Sequence, residues 1–147
     1  MATTAEVVQR LAKAMSAGGE DERDRVCDPD IEFVVSGANL RGVPAVRKYI
    51  TTFSTALPDA KAEPHKILES GSEAAVELTY SGTHNGPLAT PQGEVPPTGR
   101  SISVPGAAFV RVAGDQVVSF HGYYDQVDMM TQLGMMPAPS ATTGDER

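Results

Sequence analysis

Tryptophan is absent from the 147 residues, and cysteine occurs once, as Cys27. A lone cysteine excludes an internal disulfide and every zinc site built from several thiolates. Aromatic residues make up only 5% of the chain. No uninterrupted apolar run approaches the roughly 18 residues of a membrane-spanning helix. The N-terminus lacks a basic segment followed by an apolar one, the mark of a secretory leader. These absences predict a cytoplasmic protein with no membrane partner. Positive charge is also scarce, with 12 Lys and Arg against 19 Asp and Glu and a formal net charge of −7. That balance argues against a nucleic-acid surface, which needs clustered cations. Glycine-rich phosphate loops, nucleophile elbows, HExxH and paired CxxC are all missing, so neither a cofactor nor a metal is expected.

What is present fits one domain over residues 1–136, followed by a Pro-, Ser- and Thr-containing tail at 137–147 that reads as disordered. Seven acids and two arginines crowd residues 20–32 and supply −5 of the net charge. Alternating sign and the lack of a nearby histidine make that run a solvated face rather than a metal site.

Thr3 and Glu6 have capping-box spacing, in which each side chain satisfies the other's free backbone amide. Val7, Val8, Leu11, Ala12 and Met15 then form one helical stripe, stopped by Gly18 and Gly19. A short helix over 21–27 and a strand over 31–35 follow, with a turn-rich connection at 36–42. Pro44 suits the first turn of a helix on which Val46, Tyr49, Ile50, Phe53 and Leu57 share a face.

The period then changes from helix to strand. Residues 75–80 alternate apolar and polar, as a half-buried strand does. Residues 101–112 read as a long strand in which Pro105-Gly106 marks a bulge or an edge. The turn at 113–115 leads into a partner strand from 116 to about 124, and a short Met-rich helix covers 128–133. Helices first and strands afterwards predict an α+β fold, with an antiparallel sheet curled around helices and a hollow between them. Met129, Met130, Met135 and Met136 read as a plug at one end of the core.

Candidate chemistry rests with histidines, carboxylates and tyrosines. His121, Tyr123 and Asp125 alternate along the last strand and therefore share a face. If that face is the hollow, a carboxylate beside an imidazole and a phenol suits acid–base catalysis. If it is the solvent face, Val118, Phe120 and Tyr124 point to the core instead, and a bulge would exchange the two. His84 continues the parity of Val76, Leu78 and Tyr80, so it points inward, as a buried structural histidine or as a site residue. His65 reads as surface, and Cys27 as an inert thiol. The stretch at 86–97 is long enough to form a rim or lid over the hollow.

Several short pieces in order resemble the SnoaL-like polyketide cyclase family, within the nuclear transport factor 2-like superfamily. They are Gly82-Thr-His-Asn-Gly86, Pro96-Pro-Thr-Gly-Arg100, Val110-Arg-Val-Ala-Gly-Asp-Gln-Val117, Tyr123-Tyr-Asp-Gln126 and Gln132-Leu-Gly134. Residues 7–18 and Leu40-Arg-Gly42 fit the same pattern, so the resemblance covers most of residues 5–136. It implies a cone-shaped α+β barrel with an internal apolar pocket. It also implies cofactor-free intramolecular aldol closure of a polyketide, and a homodimer.

By the same resemblance Asp125 is the acid–base, with His84 and His121 as polarising groups. Tyr123, Arg111, Met15, Tyr49 and Phe53 are the expected substrate-binding residues, Tyr49 and Phe53 from their shared helical face and Tyr123 from its place on the last strand. Arg111 stands where some cyclases carry a pocket histidine, and Met15 where some carry a tyrosine. The related ketosteroid isomerases would place their catalytic tyrosine at Leu11 and their aspartate near Phe33, with only Glu32 beside it, so their reaction is not expected. A protein of this fold that binds a polyketide, or assists an oxygenase, without proton transfer is the alternative. An epoxide-hydrolysing arrangement would need a third group besides Arg111 and Asp125.

Overall fold

The computed structural model describes residues 2–136. The expected tail at 137–147 lies outside the described residues. Thr3 caps α1 (Thr4–Ala14) through the reciprocal capping box, and Val7, Val8 and Leu11 bury the face that the stripe predicts. The acidic helix α2 (Glu20–Val26) leads directly into β1 (Cys27–Val35), which begins earlier than expected. Within the connection at 36–42 lies a further short strand, β2 (Ala38–Arg41). Helix α3 (Val43–Ala56) carries proline in its first turn, where the missing N–H costs nothing.

Strand β3 (Lys61–Ser70) was not foreseen, because it is an edge strand with one solvated face and a proline within it. β4 (Glu73–Thr83) follows. The stretch at 86–97 contains a separate two-stranded hairpin of β5 (Leu88–Thr90) and β6 (Gly93–Val95). β7 (Ser101–Ala113) and β8 (Gln116–Tyr124) form the expected hairpin, turned at Gly114 with φ +62°. Pro105 lies where β7 has run past the end of β8 and pairs only with β4, so the edge reading holds and no bulge occurs there. Helix α4 (Gln126–Gln132) completes the described chain.

The main sheet has the order β2-β1-β8-β7-β4-β3 and is antiparallel except for the parallel pair β1–β8. It curves but does not close, so the expected barrel is an open cone with β2 and β3 as its edges. α1 and α3 cover the concave face. Val7, Val8, Leu11, Val46 and Ile50 pack there with Phe33, Val76, Leu78, Val110 and Phe120. Phe33 and Phe120 stack with ring centroids 4.7 Å apart and planes within 10° of parallel. A second cluster, with Leu57, Leu88, Ile102, Val104, Met129 and Leu133, seals the end beneath the β5–β6 hairpin. Met129 is buried in it, Met130 and Met135 pack against it, and Met136 is exposed, so three of the four methionines form the plug. Among the described residues no helix is long and apolar enough to cross a membrane.

Two carboxylates of the acidic run pair with arginines at the surface, Glu22 with Arg10 and Asp24 with Arg47. Arg23 departs from that pattern. It is 2% exposed, and one guanidinium nitrogen donates to Ala14 O at 3.3 Å.

Candidate active site

Along β7 and β8, successive side chains alternate between the concave and convex faces of the sheet. On β7 the even-numbered residues Ile102 and Val104 point inward, and the odd-numbered Phe109 and Arg111 point outward. Phe120 and Tyr124 of β8 point inward as well. Between α1, α3 and the inner face lies a cavity of about 110 Å³. Its floor is apolar, made of Phe33, Val35, Ile50, Ile102, Val104 and Met129. Met15, Phe53, Ser54, Ala60 and Ser81, all half-exposed, and the exposed Lys61 surround the mouth.

Three tyrosines, Tyr49, Tyr80 and Tyr124, line this cavity together with the polar Ser54, Lys61 and Ser81. Tyr49 and Phe53 lie one helical turn apart on α3 and meet edge to face, with centroids 5.2 Å apart. Tyr80 and Tyr124 come from β4 and β8, on either side of β7, with centroids 6.1 Å apart. Gly106 on the intervening strand makes this possible. A Cβ at that position would lie 2.6 Å from the Tyr80 ring. Burial pushes the Tyr49 hydroxyl well above the usual phenol range, and the neighbouring Tyr124 pushes it further. Burial, then Tyr124, does the same to Tyr80. Phenols shifted in this direction stay protonated at neutral pH. They are hydrogen-bond donors for a carbonyl or enolate oxygen, not bases.

The expected site residues divide between the two sides of the sheet. Met15, Tyr49 and Phe53 line the cavity. Arg111, His121 and Tyr123 do not, and the expectation that they face it is corrected. From Ser119 to Tyr124 the pairing with β7 is regular, so His121 and Tyr123 alternate with the inward Phe120 and Tyr124 and face outward. The register shift between Arg111 and Val112 changes only the parity of Val117, which is buried. His121 donates from Nε2 to Glu32 Oε1 at 3.1 Å, and Ser119 donates to the same oxygen at 3.2 Å. These bonds hold the Glu32 carboxyl below its ordinary range. Tyr123 is 55% exposed and meets Phe109 edge to face at 6.4 Å. Arg111 stands opposite Glu73 and Ser119 on the same outer face.

Asp125 is exposed and lies beyond the last residue of β8, as the N-cap of α4, where its Oδ1 accepts the Asp128 N–H at 3.0 Å. The i, i+4 alignment with His121 requires a regular strand through residue 125, and the strand ends at Tyr124. His84 is fully buried but does not line the cavity. Its Nδ1 lies 3.0 Å from Thr98 Oγ1, and its Nε2 has no partner among the described residues. It fastens the segment at 84–100, with its own N–H on Arg100 O and its carbonyl accepting Gly99 N–H. Asp59, beside the mouth, accepts both the N–H and the hydroxyl of Thr83, at 2.7 and 2.9 Å, which lowers its proton affinity. His65 is exposed and bonded to Thr79. Cys27 is buried, which pushes its thiol up to about 11.

Sequence reasoning did not assign Tyr80 and Tyr124 to the site. The signal was there, in the shared parity of Tyr80 with Val76 and Leu78 and of Tyr124 with Phe120. Among the described residues no three His, Cys, Asp or Glu side chains are grouped to hold a metal.

No curated protein sequence matches the chain. Among solved structures it resembles a candidate SnoaL-like polyketide cyclase from Jannaschia sp., at 20% identity and TM-score 0.77, over 91% of this chain and 93% of that one. It also resembles IdmH, a candidate polyketide cyclase from Streptomyces antibioticus, at 22% identity and TM-score 0.77, over 90% and 99%. A third, from Catenulispora acidiphila, has a ketosteroid isomerase-like fold and was solved with trimethylamine. It matches at 21% identity and TM-score 0.75, over 91% and 96%. At these identities the likenesses show the fold. The family model of the SnoaL-like polyketide cyclases matches residues 5–133, nearly the whole described chain, and the protein belongs to that family.

Proposed function

We propose that the protein binds a polyketide-like molecule in the tyrosine-lined cavity and promotes its intramolecular aldol closure there. The observation that carries this reading is the convergence of Tyr49, Tyr80 and Tyr124 in a hollow with an apolar floor. A methylene between two ketones is already acidic, so much of the barrier is the entropy of folding the chain and the charge that builds on the enol oxygen. An apolar cavity addresses the first, and neutral phenol donors address the second, as donors do in an oxyanion hole. In the closing step the enol carbon bonds to a ketone carbon. One proton passes from carbon to water at the mouth, and the new alkoxide oxygen takes one proton back. Neither oxidant nor reductant is consumed.

Asp125 is not assigned the proton transfer, because it is exposed and committed to the α4 cap. His121 and Arg111 are not assigned a substrate role, because they lie on the other face of the sheet. The same reading includes a pair of identical subunits joined through that outer face, where Leu68, Phe109 and Tyr123 are exposed. Sedimentation equilibrium tests that part.

A linear poly-β-ketone ester, followed by the absorbance of the closed ring, tests the reaction. Closure is expected to be faster with the protein than without it, and to slow by about 100-fold in Tyr124→Phe if one donor of this kind is removed. An undiminished rate in the Tyr49→Phe/Tyr124→Phe double variant overturns the assignment. A second reading, binding without turnover, is favoured by the lack of a carboxylate or imidazole among the lining residues. Saturable binding without acceleration would establish it.

A further inference from the structure

The cavity is small for the chemistry its family name suggests. Its volume is about 110 Å³. An apolar cavity of about 150 Å³ admits one benzene ring, and pockets for larger ligands run from about 300 Å³ upward. As it stands, the hollow is therefore slightly short of one ring and far short of a fused polycycle.

The walls differ in how far they can yield. Phe33 is fully buried and stacked on Phe120. Tyr80 is backed by β7 so closely that Gly106 has no room for a Cβ. Expansion on these sides would disturb the packed sheet, and close-packed interiors resist such changes. Met15 and Phe53 at the mouth are only partly buried, packed against the core on one side and open to solvent on the other, and methionine is unbranched and adaptable. Room for a ligand is thus gained toward the mouth and not into the sheet. One ring fits with a small outward movement, and its attached chain leaves past Met15 and Phe53.

The polar groups point the same way. A poly-β-ketone carries oxygens on alternate carbons. Closing six of its carbons gives a ring with oxygens along its edge. Tyr49, Tyr80 and Tyr124, from α3, β4 and β8, bring three hydroxyl-bearing side chains to the same cavity, with Tyr49 and Tyr124 close enough to interact.

We infer that the site takes a short poly-β-ketone that closes to a single six-membered ring, and that it excludes fused polycyclic substrates. This rests on the ring-closure reading above and narrows its substrate class. The bond formed is carbon–carbon, with the proton balance already given, and later loss of water accounts for aromatisation.

Calorimetric titration of the whole protein with a dihydroxyacetophenone and with a dihydroxyanthraquinone separates the two sizes. Intrinsic tyrosine fluorescence, read with the one-ring probe, shows where it sits, because the chain has no tryptophan and three of its four tyrosines line the cavity. The one-ring probe is expected to bind at least about tenfold more tightly than the three-ring probe. Phe53→Ala, or Met15→Ala should that variant fold poorly, is expected to improve three-ring binding by about tenfold by widening the mouth. A three-ring probe that binds the unaltered protein as well as the one-ring probe overturns the size limit and leaves the ring-closure reading standing. Binding of neither probe, with unchanged tyrosine fluorescence, overturns both.

Discussion

On the inner face of the sheet, Phe120 and Tyr124 of β8 meet Phe33, Tyr49 and Tyr80 in an apolar hollow. On the outer face of the same strand, His121 and Tyr123 meet Glu32 and Phe109 at the solvent surface. Residue types that look catalytic in sequence are concentrated outside, and the donors with perturbed proton affinity lie inside. What separates the two is the pleat of one strand. A phenol inside is desolvated and kept neutral, whereas a carboxylate outside stays hydrated and ionised even when bonded.

The largest expected difference between the faces is in stability. Phe33→Ala removes a fully buried, stacked ring and is expected to cost about 3–5 kcal/mol. Phe109→Ala, at 62% exposure, is expected to cost less than about 1 kcal/mol. Urea denaturation of both variants checks this, and equal costs would erase the distinction. Next in size is Gly106→Ala, which drives a methyl group against Tyr80 and is expected to cost about 1–3 kcal/mol. It should also weaken binding of a one-ring probe, because the ring can move only into the cavity.

The smallest effect belongs to the outer face and depends on pH. Hydrogen bonds from His121 and Ser119 hold Glu32 below its ordinary value of 4.5. A depressed carboxyl contributes stability that is present above that value and lost as pH falls through the folded one. Glu32→Gln should therefore flatten the acid side of the stability profile slightly, measured as urea midpoints from about pH 3 to about pH 6. Ligand affinity in the cavity should not change. A variant with the same acid slope as the parent would show that the Glu32 bonds do not persist in solution.

Much of the fold was legible because local signals and packing agree. The Thr3–Glu6 box, the stripe on α1, the proline in the first turn of α3 and the β7–β8 hairpin all appear where their patterns place them. β3 was not legible, because an edge strand with a solvated face and an internal proline looks like a polar loop. β2 and the β5–β6 hairpin are each four residues or fewer per strand, too short to show a period. For the site, helical spacing found Met15, Tyr49 and Phe53, because a 3.6-residue period tolerates small errors of phase. A period of two does not tolerate them. Spacing put His121 and Tyr123 on one face without saying which. They alternate regularly with the inward Phe120 and Tyr124 and so lie outside, and Asp125 leaves the series because the strand ends at Tyr124. The family resemblance carried the fold correctly.

Tyr124 and Asp125 are adjacent in sequence and lie on opposite sides of this division, so the ring-closure rates of Tyr124→Phe and Asp125→Asn in one assay test the central claim most directly. Tyr124→Phe should lose about 100-fold. Asp125→Asn keeps a competent helix cap and should stay within about twofold of the parent. The reverse order, with Asp125→Asn inactive and Tyr124→Phe unaffected, would contradict the account.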